Sequence, residues 1–173
     1  MLILHKTALA LTLGVSSVLA AAVGNAATTV QVSLWDSGDH ALDAMGEAAP
    51  MGPAMMPADQ LAEAMKTAQL GVTVDVATVP AGEVTFVVTN NSKSMQHEML
   101  VVPVADPAKP LPYNADEMHI DEELAGGLGE VPELDTGATG SLTLTLTPGT
   151  YMLYCNIPGH VMMGMWSLIT VTG

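Results

Sequence analysis

Residues 154–166 read Tyr-Cys-Asn-Ile-Pro-Gly-His-Val-Met-Met-Gly-Met-Trp. Within them Cys155, His160 and Met165 recur at intervals of five. A thiolate, an imidazole and a thioether form a soft donor set, which suits copper better than zinc or calcium. Cys155 is also the only cysteine in the chain. That excludes an internal disulfide and a thiolate-rich zinc site.

The elements around this stretch must bring the three side chains to one point. Ser141–Thr147 (SLTLTLT) alternates with period two, Pro148-Gly149 turns the chain, and Thr150–Cys155 (TYMLYC) forms the next strand. Trp166–Thr172 (WSLITVT) is the last one. A strand therefore ends at Cys155 and another starts at Trp166, so the loop between them can fold its three donors together. Earlier strands are expected at Thr29–Trp35, Val72–Thr78, Glu83–Thr89 and Glu98–Val104, with a turn at Val79–Gly82. Seven or eight short strands separated by turn signals predict an all-β, antiparallel sandwich. A trigonal copper centre with an axial methionine takes two histidines and one cysteine. The second histidine best fits His97, which follows the polar loop Asn90–Gln96 and opens a strand. His40 and His119 lie in segments without such a strand.

Two segments break the strand pattern. Residues 37–70 form a Met-rich insertion with Met45, Met51, Met55, Met56 and Met65. Its second half, 58–70, predicts a short helix stopped by Gly71. Residues 105–138 read as an acidic loop, with eight of the 18 acids between Asp116 and Asp135.

The chain has 173 residues, four Lys+Arg and a formal charge of −14, so it cannot build a phosphate-binding stripe and nucleic acid is not an expected partner. An apolar fraction of 49% is too high for a disordered acidic protein. Residues 1–26 read as a secretory signal peptide: Lys6 precedes an uncharged run from Ala8 to Val23, and Gly24-Asn25-Ala26 offers a small-residue cleavage site. The mature domain is then 27–173, with no transmembrane segment, in the periplasm or outside the cell.

With these residues in place the chain resembles the cupredoxins, the blue-copper proteins of the plastocyanin and azurin family. The match rests on Cys155-x4-His160-x4-Met165, on Leu142–Tyr154 before it, and on Val87–His97 about sixty positions earlier. The Ile157-Pro158-Gly159-His160 spacing is most similar to the rusticyanin and sulfocyanin type. The resemblance covers about residues 71–173, with Thr29–Trp35 as a first strand. It implies a Greek-key sandwich and one type 1 copper. It also implies His97, Cys155 and His160 as equatorial ligands and Met165 as the axial one. Many members place Asn after the first His to brace the two ligand loops; this chain has Glu98 there.

The implied function is one-electron transfer by Cu(I)/Cu(II) cycling. Ile157, Pro158, Val161, Met162 and Met163 are expected to form an apolar collar around His160 where redox partners dock. The acidic loop would steer a basic partner. The alternative is copper storage or delivery by the Met-rich insertion, with His40 among its donors. An enzyme is not expected. A multicopper oxidase needs His on both sides of the Cys, where Tyr154 and Asn156 stand, and a two-copper purple centre needs two Cys. A copper nitrite reductase needs a second domain, and no Gly-x-Ser-x-Gly hydrolase elbow is present.

Overall fold

The computed structural model describes residues 27–38, 40, 41, 43, 68–106 and 111–173. Residues 1–26, expected to be a signal peptide, and nearly all of the Met-rich insertion, with its proposed copper-handling role, lie outside the described residues. The described chain runs β1 (Thr28–Asp36), β2 (Leu70–Val74), β3 (Thr78–Pro80), β4 (Gly82–Asn90), β5 (His97–Pro103), β6 (Tyr113–Asn114) and β7 (His119–Ile120). A one-turn helix α1 (Glu122–Ala125) follows, then β8 (Gly129–Leu134), β9 (Thr139–Leu146), β10 (Gly149–Tyr154) and β11 (Trp166–Thr172). One sheet has the order β2-β1-β4-β9 and the other β3-β11-β10-β5-β8, while β6 and β7 form a separate hairpin. The all-β sandwich expected from sequence is what the chain forms. Two ladders depart from antiparallel pairing: β1 runs parallel to β4, and β3 parallel to β11. Each joins strands far apart in sequence, as parallel pairing requires.

Alternation assigns the faces. In β1, Val30, Val32 and Leu34 point into the core, and in β4 Val84, Phe86 and Val88 do the same. In the opposite sheet Met99, Val101, Tyr151, Leu153 and Ile169 close the core. That second sheet is buried on both faces. Leu100, Val102, Met152 and Tyr154 point the other way, into an outer cluster with Val104, Ile120, Val161 and Trp166. Such double burial explains why β5 and β10 read as continuous apolar runs rather than strict alternation.

Several boundaries move. Of the helix expected over 58–70 only the last three residues are described, and Leu70, with Gly71, belongs to β2. Gly71 pairs with Trp35 across the sheet. A Cβ there would fall inside the Trp35 indole, so this glycine makes room for a ring rather than stopping a helix. The turn expected at 79–82 shrinks, because Val79 and Pro80 belong to β3 and Gly82 opens β4. The 105–138 segment is not simply a loop. It carries β6, β7, α1 and β8, and β8 pairs with β5 at the sheet edge. In α1, Asp121 caps the start by accepting the Leu124 N–H at 3.0 Å, and Gly126 ends the turn at φ +74°.

Candidate metal centre

Strand phase delivers the first two donors to the same place. His97, Met99 and Val101 share the inner face of β5, and Tyr151, Leu153 and Cys155 continue the inner phase of β10. Leu153 pairs with Val101 and Tyr154 with Leu100, so Cys155 leaves its strand at the end where His97 enters. The chain then coils from Ile157 to Met165. His160 N–H donates to the Ile157 carbonyl at 3.0 Å, Met165 N–H to the His160 carbonyl at 3.1 Å, and Cys155 N–H to the Met165 carbonyl at 3.1 Å. These bonds fold His160 back over Cys155. Gly164 sits at φ +90°, a left-handed conformation that favours glycine.

The result is a buried cluster. The His160 Nδ1 lies 3.3 Å from the Cys155 sulfur and 3.3 Å from the His97 Nδ1, and the His97 Nδ1 lies 3.9 Å from the sulfur. All three donor atoms fall within 4.8 Å of one another. Cys155 and His97 are fully buried, and His160 is 3% exposed. Met165 is fully buried beside them in the main core, with Cys155 and Met163. The structure thus brings His97, Cys155 and His160 together. His119 instead pairs with Glu117 at 2.9 Å on the hairpin, and His40 with Asp43 at 2.9 Å on the surface.

Sequence reasoning missed a buried carboxylate. Asp36 Oδ2 lies 3.6 Å from His97 Nε2, both side chains having no exposure. That is longer than a hydrogen bond, and neither atom has a hydrogen-bond partner among the described residues. The other oxygen, Oδ1, accepts the N–H of Gly38 at 2.8 Å and of Lys93 at 3.1 Å. Burial opposes ionisation of Asp36, but the N–H groups of Lys93, Gly38 and Ser94 outweigh it and hold the carboxyl below its usual range. A second missed residue is Asn90. Its amide donates to the Met95 carbonyl at 2.9 Å and the Leu134 carbonyl at 2.7 Å, and its oxygen accepts the Ser92 N–H at 3.0 Å. Both residues take the next inward position after three buried apolar ones, in 30-32-34-36 and in 84-86-88-90. A polar residue in that phase at a strand end is the signal that could have found them.

The electrostatics favour neutral imidazoles and a protonated thiol. Burial lowers His160 to about 4, with help from His97 and against Asp36. Burial also lowers His97, partly offset by Asp36. Burial pushes the Cys155 thiol up to about 12, although the N–H groups of Glu98 and Ile157 pull it back. Two facing imidazole nitrogens and one sulfur turn their lone pairs toward one point. The buried Asp36 carboxylate favours the His97 proton on Nε2, which leaves Nδ1 bare. A cation accepting all three lone pairs satisfies the cluster, and a soft one matches the donors. The residues present therefore fit copper.

The collar differs from expectation. Val161 and Met163 are buried, at 3% and 8% exposure. Only Pro158 is exposed, with Ile157 and Met162 half-buried. The coil of the loop sends Val161 and Met162 to the outer cluster and Met163 to the main core. Glu98 does brace the loops, in place of the Asn common in cupredoxins: its carboxylate accepts the Asn156 N–H at 3.1 Å.

A sequence model of the copper-binding proteins of the plastocyanin/azurin family matches residues 60–172. Auracyanin-B of Chloroflexus aurantiacus is 32% identical over 92 residues, which cover 49% of this chain and 39% of that protein. The chain thus spans well under half the length of this relative. Among solved structures, auracyanin B superposes with a TM-score of 0.52 at 24% identity, covering 85% of this chain and 90% of that one. Rusticyanin from Thiobacillus ferrooxidans superposes with a TM-score of 0.50 at 19% identity, covering 85% and 79%. At these identities the two superpositions speak for the fold.

Proposed function

The chain belongs to the plastocyanin/azurin family of copper-binding proteins, and from that premise we propose that it is an exported, mononuclear electron carrier. His97, Cys155 and His160 would hold the copper, with Met165 as a fourth, weaker donor. The observation that carries this reading is the convergence of three buried donor atoms within 4.8 Å, two imidazole nitrogens and one thiol sulfur. Copper, when bound, supplies the one-electron couple. The protein's own part is to hold donors acceptable to both oxidation states, exclude water and prevent rearrangement. Asp36 orients His97, the Glu98 and Ile157 N–H groups hold the sulfur, and the coil 157–165 holds His160. Export is supported by the signal-like pattern of residues 1–26. The edge formed by exposed Pro158 and half-buried Ile157 and Met162 is the docking face for redox partners. The acids of the β6–β7 hairpin and α1, Asp116, Glu117, Asp121, Glu122 and Glu123, steer a basic partner, so association weakens with salt.

The test is spectroscopic. Oxidised, copper-loaded protein is expected to absorb intensely in the visible through thiolate-to-copper charge transfer; a colourless oxidised protein overturns the reading. Met165→Leu is expected to keep copper and raise the reduction potential. An unchanged potential would remove Met165 from the axial position.

A further inference from the structure

The residue after Cys155 makes more polar contacts than its place in a metal-site loop requires. Asn156 is 4% exposed. Its side-chain oxygen accepts the Ile120 N–H at 2.8 Å, and its amide donates to the Ile120 carbonyl at 3.0 Å and to Glu122 Oε1 at 2.9 Å. The side chain thus pairs with the Ile120 backbone in both directions, as a neighbouring strand would. Three residues later, Gly159 N–H donates to the Met118 carbonyl at 2.8 Å. Met118 takes a left-handed conformation, φ +55°, with 41% of its surface exposed. Packing of its side chain does not account for that conformation, whereas the carbonyl it presents to Gly159 has a use. The β6–α1 excursion therefore grips the loop one residue inside Cys155 and one residue inside His160.

We propose that Asn156 is a positioning residue and that residues 113–125 are a clamp, which fixes Cys155 relative to His160 by holding the chain between them. The proposal rests on Cys155 and His160 being the copper donors argued above. Without the clamp the interval 156–159 keeps the His160–Ile157 turn and the Glu98 brace, but its outer side faces groups left unpaired. Buried orphans of this kind favour local opening.

The test uses the full chain. Asn156→Ala is expected to bind copper roughly 10- to 100-fold more weakly, the range for lost partners around metal ligands, and to change the visible and EPR signatures. In metal-free protein its Cys155 should react with iodoacetamide roughly tenfold faster, the change expected when opening becomes easier by about one hydrogen bond. Glu122→Ala removes one contact and is expected to shift every readout the same way by less. Glu122→Gln keeps an acceptor and is expected to restore wild-type behaviour, which separates the contact from the charge. Wild-type copper affinity, spectrum and alkylation rate in both alanine variants overturn the clamp, even if melting temperature falls. Should Asn156→Ala fail to fold, the Glu122 pair decides. A colourless wild type overturns the electron-carrier reading instead, and the metal-free alkylation rates still decide the clamp.

Discussion

The two segments that carry the metal donors are held by different physics. The loop before His97 is stapled by polar side chains from other strands: Asp36 on β1 takes the Lys93 N–H, and Asn90 at the end of β4 takes Ser92, Met95 and Leu134. The 155–165 segment coils largely on its own backbone bonds, is tied through Asn156 and Gly159 to residues 118–122, and feeds side chains into two apolar clusters. The first arrangement positions one donor through a few expensive buried groups. The second adds one such group, Asn156, to many packing contacts. A polar staple fails when one residue is lost, whereas the apolar packing of the coil yields gradually.

Substitutions can break this contrast or sharpen it. The largest effect concerns the metal: Cys155→Ser should abolish the visible band, read from the absorption spectrum of copper-loaded protein. Next, Asn90→Ala leaves the Leu134 carbonyl without the Asn90 donor and the Met95 carbonyl with the Ser92 hydroxyl alone. It should cost about 2–4 kcal/mol in denaturant unfolding of the metal-free protein. Gly164→Ala tests the other segment. A Cβ there meets nothing within 4 Å, so only the φ of +90° opposes it, and the cost should be about 1–2 kcal/mol. If Gly164→Ala proved costlier than Asn90→Ala, the contrast between staple and coil would be wrong. Smallest of all, His40→Ala and His119→Ala should leave copper retention unchanged and stability within about 0.5 kcal/mol. Loss of copper in either variant would add a donor outside the cluster.

What could be read from the sequence follows the same division. Cys155 and His160 announced themselves because they lie in one stretch bounded by clear strands, and β11 was legible residue for residue. His97 was legible because it opens a strand. Asp36 was not, since its partner His97 is remote in sequence and Asp36 reads as the polar end of a strand. Asn156 was noticed only as a non-histidine beside the cysteine, because its partners Ile120 and Glu122 lie in a segment whose acids hide its short elements. Met163 was misplaced because a coil with a left-handed glycine obeys neither the period of a strand nor that of a helix.

The division of the 155–165 coil between two clusters has a consequence for engineering. This loop is not a cassette. Moved into another sandwich whose outer sheet face is bare, it would present Val161 and Met162 to water and lose the partners of Asn156 and Gly159. A successful graft has to carry residues 111–125 with it, so the portable unit is two segments rather than one.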